Sequence, residues 1–251
     1  MLNKTILIST ERSGTNYFLN AYSKMFPGNL VLGEIFREKG DSLSDLRRIL
    51  GVDKDQALEI VRKQPLETWA RLPPGSIAKI FYNHASRNSE LWNYFREHDR
   101  VIHLIRSDHL ENFISLKVAE QSDVWIDRKV TLRQRLRSLQ KSLKSGRLRS
   151  VGAQKVPVSV QPFCVDPCEL ESFIRKRKEN VRWCRDYFAT ADYHEVWYED
   201  IAVSANMCAD AIGRIYKVKP RNLVVDTKKQ SKGDPRSLVL NYSEIAQFDK
   251  R

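Results

Sequence analysis

Seven residues near the start of the chain, Thr10-Glu-Arg-Ser-Gly-Thr-Asn16, have the types and spacing of an anion cradle. They follow the short apolar run Thr5 to Ser9 and lead into a helical pattern, so they form a strand end, a tight turn and a helix start. Such a start aims several unpaired backbone N–H groups at one point, where the helix dipole also favours negative charge. Gly14 would let an oxyanion approach the backbone, Ser13 and Thr15 offer hydroxyl donors, and Arg12 brings a permanent fork of donors, with Asn16 closing the motif. The expected ligand is a phosphate-type anion. Nucleotide kinases carry Gly-x-x-x-x-Gly-Lys followed by Ser or Thr at this place; the second glycine and the lysine are absent here, which argues against magnesium-dependent phosphate chemistry.

A second basic point follows the run Val101 to Ile105. Arg106 leaves this predicted strand, and Ser115 lies on the amphipathic stretch that carries Leu110, Phe113, Ile114 and Lys117. A guanidinium at a strand end and a hydroxyl on the next helix can converge on one phosphate. Three further residues with acid, base or charge-stabilising chemistry sit at or just after predicted strands: Glu34 in Leu32-Gly-Glu34, Lys79 within Ile77 to Phe81, and His84 in Phe81-Tyr-Asn-His84. Near the end, Lys228-Lys-Gln-Ser-Lys-Gly-Asp234 adds Lys229, Ser231 and Lys232 as late basic or hydroxyl candidates.

The elements that must position these groups repeat a rhythm. Apolar runs at Thr5 to Ser9, Leu30 to Leu32, Ile77 to Phe81, Val101 to Ile105 and Tyr193 to Trp197 each precede turn residues and then a helical pattern. That rhythm predicts an α/β fold, a P-loop-like three-layer domain whose central parallel sheet is flanked by helices, with the ligand crevice along one edge. The first helix would bury Phe18, Leu19, Tyr22, Met25 and Phe26 and stop at Phe26-Pro-Gly-Asn29. A length of 251 residues suits a single domain. Two amphipathic stretches within 41–75 would cap an acceptor site, and 127–166 reads as a helical and loop insertion with a basic run from Arg128 to Arg149.

Lys and Arg outnumber Asp and Glu by 43 to 31, a formal net charge of +12, which favours polyanions, acidic membrane surfaces or multiply charged small ligands. With 41% hydrophobic and 29% charged residues the composition is globular rather than disordered. Cys164, Cys168, Cys184 and Cys208 lack metal-ligand spacing and read as reduced thiols, so no metal is expected. No charged leader precedes a long apolar run, and the expected location is the cytoplasm.

On these residues the chain resembles the sulfotransferases that use 3'-phosphoadenosine 5'-phosphosulfate (PAPS), and in particular soluble bacterial ones acting on sugars. The Arg-Ser-Gly-Thr loop carries the resemblance, with Gly33-Glu34, Arg106 to Ser115, Asn180 to Phe188, Trp197-Tyr-Glu-Asp-Ile201 and Asn241-Tyr-Ser-Glu-Ile245. It implies PAPS as the sulfuryl donor, with Arg106 and Ser115 on its 3'-phosphate. Family spacing most often places the arginine eight residues before the serine; Arg106 is nine before Ser115, and Ser107 stands at the family's place. Glu34 is similar to the base of sugar-specific members, and His84 falls near the catalytic histidine of enzymes acting on small phenols. The Gly-Glu context favours Glu34. Arg12, with Lys79 assisting, would stabilise charge on the leaving phosphate, and Lys229, Ser231 and Lys232 would close over the donor. The implied acceptor is a carbohydrate or glycolipid, such as a capsular or lipopolysaccharide sugar, with peripheral contact to an acidic membrane surface and no specific nucleic acid. Two other classes stay open: a nucleotide or small-molecule kinase built on the same loop, and a basic polyanion-binding protein.

Overall fold

β1 (Thr5–Ser9) is buried along its whole length, as are β3 (Ile77–Phe81) and most of β4 (Arg100–Ile105), which is why their sequences read as continuous apolar runs. β2 is only Val31–Leu32, and β5 (Asp192–Trp197) is an edge strand exposed at both ends. All pairings are parallel in the order β2-β3-β1-β4-β5, which puts β1 at the centre. The computed structural model describes residues 3–36, 47, 50–122, 160–224 and 234–249. This is the α/β architecture expected from the rhythm of apolar runs, with each strand within a residue of its predicted bounds.

The helices are α1 (Thr15–Met25), α2 (Lys54–Lys63), α3 (Pro65–Ala70), α4 (Glu90–His98), α5 (His109–Ser122), α6 (Pro167–Tyr187), α7 (Tyr198–Ile201), α8 (Ala205–Tyr216) and α9 (Tyr242–Ile245). They cover both faces of the sheet. Leu7, Ile102 and Leu104 face Phe18 and Tyr22 of α1 and Ile212 of α8, while Ile6, Ile8 and Ile80 face Trp92 and Phe95 of α4 and Cys184 of α6. A third cluster ties Leu110, Phe113 and Ile114 of α5 to Leu170 of α6 and to Ile245. There the Asn241 amide stands in for a strand partner, accepting from the Val165 N–H and donating to its carbonyl, both at 2.9 Å.

The chain runs from β1 to β2 and β3 on one side, then crosses to β4 and β5 on the other. The strand order therefore switches direction between β1 and β4, where open α/β sheets form their crevice beyond the carboxyl ends. The described end of the 41–75 stretch is anchored at the opposite, amino edge of the sheet. Trp69 donates to Asp99 at 2.6 Å, and Lys4 donates to the Trp69 carbonyl at 3.0 Å. Residues 37–46, 48 and 49 and the 123–159 segment, with its basic run, lie outside the described residues. No helix among the described residues is long and apolar enough to cross a membrane.

One polar network crosses the core. Tyr193 donates to Glu195 at 2.9 Å, so its oxygen accepts from His103 Nδ1 at 2.6 Å, and His103 Nε2 is left to accept from the Tyr82 hydroxyl. Burial pushes the His103 imidazole down to about 3, against the upward pull of Glu195. Between that value and the unfolded value of about 6.5 the unfolded chain binds the extra proton, so this group's stabilisation is present above pH 6.5 and is lost as pH falls toward 3. Asp99, pushed up to about 6 by burial, slopes the other way, but it is common to parent and variant. Urea denaturation from pH 7.5 to 4.5 should therefore show the parent's advantage over His103→Gln shrinking by about 1.4 kcal/mol per pH unit below 6.5. A difference independent of pH would show that the buried imidazole is not held neutral.

Candidate active site

α1 begins without a side-chain cap. Gly14 is its N-cap residue with φ 82° and makes no side-chain cap bond, and the first turn carries no acidic residue. α2, α4, α6 and α8 are capped by Asp53, Ser89, Asp166 and Ser204, and the Asp108 carboxylate accepts from the Glu111 amide at the start of α5. The N-cap residue of α1 thus offers its first amides no acceptor at the positive end of the dipole, a place suited to an anion. Arg12 also takes a left-handed conformation, φ 62°, uncommon for a residue with a side chain.

The expected role of Gly14 changes in the structure. A Cβ there would lie 2.5 Å from Tyr198 Cε2 and closer still to Cδ2, so the space freed by the missing side chain holds an aromatic ring rather than an approaching oxyanion. Ser13 is wholly buried, with no hydrogen-bond partner for its hydroxyl among the described residues. Thr15 is buried and Asn16 is half-buried.

Arg12 connects the two expected anion points. Its Nε donates to Ser115 Oγ on α5 at 3.1 Å, and its carbonyl accepts from Arg106 Nη1 at 2.7 Å. Ser115 is therefore brought to Arg12, while Arg106 pairs with Glu111 at 2.9 Å and lies 4.7 Å over the Tyr198 ring. Ser107, at the family's spacing, is occupied otherwise, since its amide and that of Asp108 donate to Glu199 Oε1 at 2.9 and 3.0 Å. Burial first, and then the neighbouring Arg106 charge, push the Arg12 guanidinium down to about 10. An anion placed between such like charges relieves both effects.

The two candidate bases, expected as alternatives, meet on one carboxylate. Glu34 Oε1 lies 3.0 Å from Lys79 Nζ, and Glu34 Oε2 lies 3.7 Å from His84 Nε2, with all three side chains under a tenth exposed. His84 Nδ1 accepts from the Phe81 amide at 3.2 Å, so in the neutral ring the proton sits on Nε2, facing Glu34. Lys79 also donates to Asn16 Oδ1 at 3.0 Å, which joins this cluster to the first turn of α1.

Several contributors were not found by sequence reasoning. Arg177 of α6 binds Glu11 at 3.1 Å, and Arg236 binds Asp108 at 3.0 Å. Burial pushes the Glu11 carboxyl upward, yet it sits below its ordinary range because its own backbone amide, Arg177 and Thr10 outweigh that cost. Arg177 was legible only as one of many charges on a long polar helix. Lys229, Ser231 and Lys232 lie outside the described residues. A cavity of about 380 Å³ along β5, α7 and α8 contains none of the expected site residues, and we place the site by converging chemistry rather than by volume.

Fold and site together define an α/β protein with a glycine-capped loop carrying Arg12 at the switch point of a parallel sheet and a buried carboxylate, Glu34, beside it. No family model and no curated protein matches the chain. Among solved structures it is similar to a sulfotransferase domain from the curacin biosynthetic pathway, with 12% identity and a TM-score of 0.43 over 88% of this chain and 76% of that one. It is also similar to a sulfotransferase from Alicyclobacillus acidocaldarius, with 11% identity and a TM-score of 0.46 over 99% of this chain and 92% of that one.

The Lys79–Glu34 pair is buried, so removing one member strands the other's charge. Lys79→Met should cost about 3 to 5 kcal/mol in chemical denaturation, and adding Glu34→Gln should recover most of the loss. A Lys79→Met protein as stable as the parent would mean that the carboxylate reaches solvent.

Proposed function

We propose that the chain is a sulfotransferase that moves a sulfuryl group from PAPS to a hydroxyl of a carbohydrate, with capsular, lipopolysaccharide or glycolipid sugars as the acceptor type. The observation that carries this reading is the link from the oxyanion loop to the buried carboxylate through Asn16 and Lys79. It sets a group suited to hold the donor beside one suited to take the acceptor's proton. The sugar acceptor rests on the Gly33-Glu34 context of the sequence.

In this reading the amides of α1 and the Arg12 guanidinium hold the 5'-phosphate, on which negative charge grows as its bond to sulfur breaks. The acceptor oxygen attacks sulfur from the opposite side, and its proton passes to Glu34. Lys79 orients Oε1 of that carboxylate and His84 faces Oε2 with its Nε2 proton. An ammonium has three donors; Glu34 and Asn16 take two, which leaves a third for a sulfuryl oxygen. The 3'-phosphate falls to Ser115, which Arg12 Nε holds in place, with Arg106 as the group that holds the Arg12 backbone.

Calorimetry in EDTA tests the donor. Adenosine 3',5'-bisphosphate should bind without magnesium and more tightly than AMP, and a requirement for ATP with magnesium would favour the kinase instead. Ser115→Ala should narrow the preference for the bisphosphate about tenfold, the worth of one hydrogen bond to a charged group, and leave AMP affinity unchanged. Arg106→Ala should weaken both nucleotides, because it loosens the loop itself. Equal losses for both nucleotides in Ser115→Ala would remove the 3'-phosphate assignment.

With labelled PAPS and a panel of sugar acceptors, Glu34→Gln should lower turnover about 100- to 10,000-fold while donor binding is kept. His84→Ala should do less, since its ring orients the base. A dead but donor-competent His84→Ala beside an active Glu34→Gln would transfer the proton-accepting role to the histidine.

A further inference from the structure

The residue at the centre of the contacts around the anion loop is one to which the reaction scheme gives no part. Tyr198 opens α7, directly after edge strand β5, and its ring occupies the place where a side chain on Gly14 would stand. On the same ring lies the Arg106 guanidinium, 4.7 Å from the centroid, and Arg106 in turn donates to the Arg12 carbonyl at 2.7 Å. One aromatic ring therefore touches the left-handed residue that starts α1 and the cation that ties down the residue two before it. The next residue, Glu199, takes the amides of Ser107 and Asp108 on one oxygen, so the turn after β4 is fastened to the same short helix.

We infer that Tyr198 is a positioning residue for oxyanion binding: its ring fixes the anion loop by filling the Gly14 Cβ space and seating Arg106. The physical argument is one of shape and charge. The φ of 82° at Gly14 is one of several conformations open to glycine, and a rigid ring against its Cα face restricts that choice. The quadrupole of the ring attracts Arg106, which is 7% exposed and stands beside another guanidinium, Arg12. Loss of the ring would remove both restraints at once, and the hydroxyl is not needed for either.

The inference concerns the donor site of the proposed reaction and rests on that reading only for the identity of the nucleotide. The test is a double-mutant cycle on Gly14 and Tyr198, read as affinity for adenosine 3',5'-bisphosphate and, separately, for inorganic pyrophosphate. Tyr198→Phe should stay within about twofold of the parent, because the ring face is kept, whereas Tyr198→Ala should bind about 10- to 30-fold more weakly. Gly14→Ala should abolish measurable binding in the parent background, where the new methyl meets the ring. In the Tyr198→Ala background the same change should cost only the left-handed strain of an alanine, about 5- to 30-fold. Melting temperatures of all variants, taken alongside, separate loop positioning from general destabilisation, since a purely structural role would make affinity losses follow melting temperature and leave Gly14→Ala equally costly in both backgrounds. That equality, or a Tyr198→Phe protein as weak as Tyr198→Ala, overturns the inference. A parent that binds pyrophosphate but not the bisphosphate sinks the donor assignment and leaves the coupling measurable on pyrophosphate; a parent that binds neither overturns both.

Discussion

Everything at the site depends on where β1 ends. Thr5–Ser9 is hydrogen-bonded on both sides and buried on both faces, so the chain leaves it at a fixed point in the middle of the carboxyl edge. Helix α1 must start within a few residues of that point, because Phe18, Leu19 and Tyr22 have to reach the same core cluster as Leu7. The connection runs from Thr10 to Gly14 and turns through left-handed Arg12 and Gly14, and Gly14, as the N-cap residue, has no side chain with which to cap the first amides of α1.

Charge is arranged around this turn by mutual compensation. Burial and the neighbouring Arg106 charge disfavour the charged form of Arg12, and Arg106 is held by Glu111 and by the face of Tyr198. Glu11, beside Arg12 in sequence, is turned away to Arg177, which keeps a carboxylate off the helix start. Lys79 and Glu34 neutralise each other in the interior, and the link from Lys79 to Asn16 sets the distance between this pair and the loop. The net effect is a crevice in which Arg106, Arg177 and Lys79 each face a carboxylate, Glu111, Glu11 and Glu34 respectively.

The structure also brings the two candidate bases together. Glu34 and His84 belong to different strand ends and read as rival bases, yet β2 and β3 are neighbours in the sheet, so both residues arrive at the same place. The Phe81 amide then decides their relation. By donating to His84 Nδ1 it places the proton of the neutral ring on the side of Glu34.

The sequence by itself determined the five strands, the α/β class and the strand-end residues, because a strand buried on both faces must be apolar throughout and a strand end must carry whatever the crevice needs. Lys79 was conspicuous for that reason, as a lysine inside the run Ile-Ala-Lys-Ile-Phe. The polar contacts between elements were not legible. Arg177 lies 166 residues from Glu11 with nothing in its local pattern to mark it, and Tyr198, read only as part of the Trp197 to Ile201 motif, follows β5 yet packs on Gly14 after β1. The contact of Arg12 with Ser115, 103 residues apart, was likewise decided by tertiary structure alone. Periodicity records which face of an element is buried, but the direction of a side chain at its end is set by the elements that pack around it, and only the folded chain brings those together.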